Sequence, residues 1–411
     1  MVKSVQPADG LAGDADVDDD VDYGNDQMTD FHARLATLRA EKGVVRLRFG
    51  PSTGLMLLRH ADIVAALRDE AYFSKSAAFR PITFPFIGPN ITGYDGDEHT
   101  VKRALVSPTF RRTMIPRYVQ PIIRPIAEEL VAELAPLGEA DLMATFAKKY
   151  PMRIISRLLG IPPDDEDKLA TWAFSMLHIA GDPDGAMKAH AEFTEYVGPL
   201  VDERRTHPRD DLLSALVTEE VEGQRLDHDE VLGFLRLLFP AGVDTTWQAL
   251  GNLMYAVLDH PEIHQRLLHD EQDRIWAVEE MLRWESPVAA DSRLTLQDVV
   301  VAGVEIPAGQ LVRLGLSAAN RDPAVFPDPD RWNLDRRPTS HITFGLGRHF
   351  CLGAFLARVE LQVALDVLLS QLPNLRLLEQ PHITGIGIRG PKALRVAWDA
   401  PSTPGAPQNG P

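Results

Sequence analysis

Cysteine is almost missing from this chain: Cys351 is the only one in 411 residues. That excludes an internal disulfide and any multi-cysteine zinc or iron–sulfur site. Metal chemistry, if present, must rest on that thiol, on histidines or on carboxylates. Long apolar runs are missing too. No window approaches the roughly 18 residues a membrane span needs, and the N-terminus carries acid where a signal peptide needs base. The expected protein is cytoplasmic and has no membrane anchor. Basic residues are scarce as well, 42 Lys and Arg against 59 Asp and Glu, for a net charge of −17. A surface so negative repels phosphate backbones and argues against nucleic acid as a partner.

What is there is ordinary globular material, 45% hydrophobic and 25% charged. The first 30 residues hold nine Asp against Lys3 alone. Residues 1–30 are therefore expected to be an acidic, disordered arm. Residues 400–411, rich in Pro, Gly and Ser, are expected to be a flexible tail. No linker or repeat divides 31–399, so one domain is predicted there, mainly α with small β-sheets.

Val44–Phe49 and Leu55–Leu58 flank Pro51-Ser52-Thr53-Gly54 and predict a hairpin. Val299–Ile306 and Leu311–Leu316, about Pro307-Ala308-Gly309, predict a second. Asp227 precedes Glu230 by three, a capping-box pattern opening a helix that should run to Asp259. Its length would be about 50 Å. Pro240 inside it is expected to kink or open it. After Cys351, Phe355, Val359, Val363 and Val367 recur every four residues, marking the buried stripe of another helix.

The most informative segment is Phe344-Gly345-Leu346-Gly347-Arg348-His349-Phe350-Cys351-Leu352-Gly353. A lone Cys is usually a small buried hydrophobe. Here it stands where a helix begins, and a helix N-terminus offers free N–H donors and positive dipole to a thiolate. Gly345 and Gly347 allow backbone angles that a side chain forbids, while Gly353 would let a flat group approach.

The segment resembles the Phe-Gly-x-Gly-x-(His/Arg)-x-Cys-x-Gly loop of the cytochrome P450 family of haem-thiolate monooxygenases. It matches at Phe344, Gly345, Gly347, His349, Cys351 and Gly353. Other landmarks of that family follow in order. Ala241-Gly242-Val243-Asp244-Thr245-Thr246, midway along the long helix, resembles the oxygen-binding segment. Glu280-Met281-Leu282-Arg283 resembles the Glu-x-x-Arg pair, and Arg331, in Phe326–Trp332, the Arg that completes its network. His99 and Arg103 match the helix that binds haem propionates, and Arg293 and His349 match the other propionate contacts.

The resemblance spans about residues 31–399 and implies the cytochrome P450 fold enclosing haem b, with Cys351 as the iron ligand. The thiolate's electron push is a general property of such ligation. By the same resemblance, Ala241, Gly242, Phe344 and Gly353 border the cofactor, and Asp244 and Thr245 relay protons. The implied activity is insertion of one atom of O2 into an organic substrate. Two other readings on this scaffold are a peroxide-driven peroxygenase or decarboxylase and a non-enzymatic haem sensor. Neither needs the acid–alcohol pair Asp244-Thr245. Gly385-Ile386-Gly387-Ile388-Arg389-Gly390 fits G-x-G-x-x-G, but Pro391 and a strand pattern follow instead of a helix. It is expected to be a hairpin tip, so electrons must come from elsewhere, implying a ferredoxin-type donor with its reductase. Lys102, Arg111, Arg112 and Arg117 are a candidate docking patch for it. A monomer is expected.

In the family, substrate contacts come from the loop before the His99 helix, the long helix, the segment after Pro287 and the hairpin tip. Those regions offer Phe79, Ile82, Phe84, Phe86, Ile87, Val288, Ala289, Ala290, Ile386 and Ile388. Phe84 and Phe86 could both face a ligand only if their loop is extended. Lys75 and Arg80 are expected to be solvated or to meet a propionate. Apolar walls favour apolar cargo, so the expected substrate is a hydrophobic small molecule.

Overall fold

Asp227 caps the long helix as the sequence predicts. Its carboxylate accepts the Glu230 N–H at 2.8 Å, and the Glu230 carboxylate accepts the Asp227 N–H at 3.0 Å. The helix, His228–Leu258, runs 31 residues. In the computed structural model, which describes residues 20–22, 28, 30–49, 52–162, 166–177 and 182–400, it is the axis of the molecule. Helices Lys149–Leu159, Glu166–Leu177, Glu271–Trp284 and Ala354–Gln371 pack around it. Together they enclose the main apolar core, and Val363 and Val367 of the predicted stripe are buried there, with Phe355 and Val359 partly so. The helix runs without a break through Pro240.

A six-stranded sheet closes one side of the helices, in the order Val21–Asp22, Val44–Phe49, Ser52–Leu57, Leu311–Leu314, Asp291–Thr295, Phe73–Ser74. The first predicted hairpin is present, with Val44 opposite Leu57. The second is not. Val299–Val301 turns back on Val304–Ile306 through Ala302 and Gly303, both at positive φ. Leu311–Leu314 instead pairs parallel with Ser52–Leu57 and antiparallel with Asp291–Thr295. Val21–Asp22 also pairs with Leu47 and Arg48, so ordered structure begins inside the segment expected to be a disordered arm. Residues 1–19 of that arm and 401–411 of the tail lie outside the described residues. No helix among the described residues is long and apolar enough to cross a membrane.

Candidate active site

The cysteine loop is pinned before it reaches the thiol. The Cys351 N–H donates to the Phe344 carbonyl at 2.9 Å, and the Gly345 N–H to Ile342 at 2.8 Å. Gly347 sits at φ +71°, and a Cβ there would meet the Leu67 carbonyl oxygen at 2.9 Å, so glycine is required twice over. Gly353 differs. It caps the helix Ala354–Gln371, and a Cβ on it would meet nothing within 4 Å. The space beside Cys351 is therefore open.

Cys351 borders a cavity of about 330 Å³. Its surface is accessible from that cavity although protein encloses it otherwise. Burial pushes the thiol pKa up; the Gly353 N–H and the charges of Arg103, Lys75 and Arg358 oppose it. The long helix contributes Ala241, Gly242, Thr245 and Thr246 to the lining. The Thr245 hydroxyl donates back to the Ala241 carbonyl at 2.8 Å. Asp244 is buried but is not part of the lining.

One region of the lining is built for negative charge. His99 is 1% exposed, yet neither ring nitrogen has a hydrogen-bond partner. Burial, reinforced by nearby His349 and Arg103, pulls its pKa down to about 3. Arg103 lines the same cavity. Lys75, expected to be solvated or to meet a propionate, is enclosed on the cavity wall and donates to both Asp291 oxygens at 2.8 and 2.9 Å. Arg293 donates to Asp291 at 2.7 Å and does not itself line the cavity. Burial disfavours the Asp291 charge, but Lys75 and Arg293 outweigh it and hold the carboxyl below its ordinary range. Two cations thus share one anion, and the surplus positive charge awaits another. His349 lines the cavity with Nε2 2.9 Å from Asp95 Oδ1.

Behind the loop, Glu280 and Arg283 are both fully buried, and Arg283 grips Glu280 through two bonds of 2.8 Å. The second arginine is not Arg331. The Arg331 side chain is exposed, and only its carbonyl joins, accepting from Arg283 at 3.2 Å. Arg336 completes the network, donating to Glu280 at 3.0 Å. Asn320 carries the tie onward, bonding Thr343 at 2.9 Å and accepting the Ile342 N–H at 2.8 Å. Arg358, one turn into the cysteine helix, stacks its guanidinium 4.4 Å from the centre of the Phe344 ring.

Of the expected substrate contacts, only Val288 lines the cavity. Lys75–Ile87 is a helix and not an extended loop, capped by Ser74, so Phe84 and Phe86 do not face one ligand. Phe84 packs on Tyr94, Ile82 is 56% exposed, Ile87 is buried, and Phe79 lies under the Lys75 ammonium. Ala289, Ala290 and Ile386 are consumed by the core behind the sheet, and Ile388 bridges to Val288. The 385–390 segment is the tip of a hairpin between Ile383–Thr384 and Gly390–Pro391, but that tip does not line the cavity. The apolar lining comes instead from Ile91, Phe110, Ile155, Phe234, Leu237 and Leu238. Helical spacing on the long helix could have revealed Phe234, Leu237 and Leu238, one turn or two before Ala241.

Comparison with known proteins identifies the family. The family model for Cytochrome P450 matches residues 172–278 and 275–373. The chain is 38% identical to the Mycinamicin IV hydroxylase/epoxidase of Micromonospora griseorubida, over 89% of this chain and 95% of that one. It is 37% identical to the Cytochrome P450 monooxygenase PikC of Streptomyces venezuelae, over 91% and 92%. Among solved structures, the bacillaene polyketide synthase Cytochrome P450 PksS of Bacillus subtilis 168 superposes with a TM-score of 0.85 at 32% identity. That match covers 90% of this chain and 98% of that one.

Proposed function

The chain belongs to the cytochrome P450 family, and we propose that it hydroxylates or similarly oxidises a hydrophobic small molecule with electrons from a ferredoxin-type partner. It is a monooxygenase whose cofactor is haem b. The observation that carries the substrate reading is the cavity itself, whose lining holds the chain's single thiol, Thr245 and a majority of apolar side chains.

The residues present fit haem b. Gly353 leaves open the space a flat group needs, and the unpartnered His99 nitrogens lie where they could meet a propionate. Cys351 would hold the iron. His99, Arg103 and His349 would hold the propionates, with Arg293 contributing through the shared Asp291 cluster and Lys75 added to the set. Bound haem supplies the activation of O2. The protein's part is orientation, exclusion of water and protons. Thr245 must release its bond to Ala241 to donate into the cavity, and Asp244 beside it would renew the proton.

That relay supports the O2 route over a peroxide-driven one. With Thr245→Ala, haem content is expected to stay intact while product per NAD(P)H consumed falls roughly tenfold and peroxide rises. Unchanged yield, or faster wild-type turnover on H2O2 than on NAD(P)H with ferredoxin and reductase, would instead favour the peroxygenase reading.

For docking, Arg111, Arg112 and Arg117 are exposed just beyond the cavity-lining Phe110 and suit an acidic donor acting on a monomer. Lys102 drops out, because it is paired with Glu230. The lining also sets ligand preference. In a homologous series, affinity should rise about fourfold per added methylene, about 0.8 kcal/mol each, until the cavity fills. Spin-state titrations with matched apolar and charged ligands check this; a response to charged ligands alone would refute it.

A further inference from the structure

The helix Glu271–Trp284 carries two adjacent carboxylates with different partners. Glu280 is held by Arg283 and Arg336. Glu279 reaches the cysteine helix instead, accepting from Arg358 Nε at 2.6 Å and Nη2 at 3.1 Å. Such a two-pronged bond fixes a guanidinium in place and orientation. Arg358 Nη1 is tied as well, donating to the Ala354 carbonyl at 3.2 Å. Glu279 also lies 2.9 Å from His341 Nε2, and His341 Nδ1 lies 3.1 Å from Thr343 Oγ1. Burial disfavours the Glu279 charge, but His341 and Arg358 outweigh it and pull its pKa down to about 2. The pair is therefore a fixed cation beside a fixed anion. Neither residue holds the cofactor or moves a proton in the reading above.

The two charges are not equivalent towards Cys351. The Arg358 guanidinium lies 4.4 Å from the centre of the Phe344 ring, whose negative face attracts it. The Phe344 carbonyl accepts the Cys351 N–H. Phe344 lines the cavity and Arg358 does not, so the cation acts on the site from behind the ring. The Arg358 and Glu279 side chains are only 22% and 14% exposed, and charges so enclosed are screened far less than surface ones.

We propose that Glu279 and Arg358 set the reduction potential of this site, Arg358 raising it from behind Phe344 and Glu279 limiting the rise. The inference rests on the assignment of Cys351 above. One-electron reduction of the cofactor adds one negative charge beside Cys351, which a fixed cation favours and a fixed anion opposes. The electron comes from the ferredoxin-type donor, and no bond or proton moves at the pair itself.

The test is a redox titration of the full-length, haem-loaded protein without substrate, read by absorption. Arg358→Met removes the cation and should lower the ferrous-to-ferric ratio at a given potential about tenfold, a downward shift of about 59 mV for one electron. Glu279→Gln removes the anion while its amide oxygen still accepts from Arg358, and should shift the potential upward. Arg358→Lys keeps the charge and should lie between the wild type and Arg358→Met. Arg358→Gln repeats the charge loss with a polar side chain, should the Met variant not hold haem. All should keep the reduced CO band. Shifts of opposite sign mark an electrostatic role, because a pair that only braced the loop would move both variants the same way or neither. Unchanged potentials, or shifts of the same sign, would overturn the inference. If Cys351→Ser loses the CO band and the two potentials do not part, only this inference fails. If Cys351→Ser keeps the band, the assignment beneath it fails.

Discussion

Cys351→His and Cys351→Ser are both expected to abolish the absorption band of the reduced CO complex that gives the family its name, and monooxygenase turnover with it. The chain has no second cysteine to take over the role. The fold does not make the thiolate unaided, since burial pushes the Cys351 pKa up and the Gly353 N–H and nearby cations only oppose that rise. Cys351 would lose its proton on binding haem iron, as thiols do when they coordinate metals. Serine offers a far weaker acid in the same place, and histidine a neutral ligand without the electron push. Stability should barely move, by about 1 kcal/mol or less, because the side chain faces a cavity and fills no packed core. Thermal melts of the cofactor-free variants separate the two effects. Survival of the band in either variant would sink the assignment, and collapse of the apoprotein fold would mean that Cys351 is structural.

The features legible in the sequence are those a short stretch of backbone decides alone. The capping box closes because Asp227 and Glu230 are three residues apart. The cysteine loop is legible because Gly347 has no substitute at its φ and its contact with Leu67. Other features depended on distant chain. Leu311–Leu314 reads as half of a local hairpin, but its partners are Ser52–Leu57 and Asp291–Thr295, and Ala302-Gly303 offers a tighter turn than Pro307-Ala308-Gly309. The stretch before the His99 helix is itself helical although it contains Pro81 and Pro85. They stand four residues apart, so the donors they lack fall on one side of a helix that Ser74 caps. That places Phe84 against Tyr94 and leaves Ile91, Phe110 and Leu237 to line the cavity. Arg331 lies in a bend and Arg336 ends the single 3-10 turn Leu334–Arg336, too short for periodicity to tell which guanidinium turns inward.

That last difference yields the sharpest stability test. Glu280→Ala should destabilise the protein by about 3–5 kcal/mol, the cost of stranding a buried partner charge. Arg283 is 0% exposed and would keep only the carbonyls of Asn320, Pro329 and Arg331. Against a total of about 5–15 kcal/mol, that loss is large. It should also reach the cofactor, because Asn320 links this network to Ile342 and Thr343 at the root of the cysteine loop. Arg336→Ala removes one charged hydrogen bond from a carboxylate that Arg283 and the Asn333 N–H still hold, so about 1.5–3 kcal/mol is expected. Arg331→Ala leaves its carbonyl in place and removes an exposed side chain, so the change should stay within about 0.5 kcal/mol. Urea unfolding of the three variants, followed by far-ultraviolet dichroism and by retention of the thiolate CO band, ranks them. Equal losses for Arg331→Ala and Arg336→Ala would contradict the network described here. A Glu280→Ala protein as stable as Arg331→Ala would show that the buried pair is dispensable.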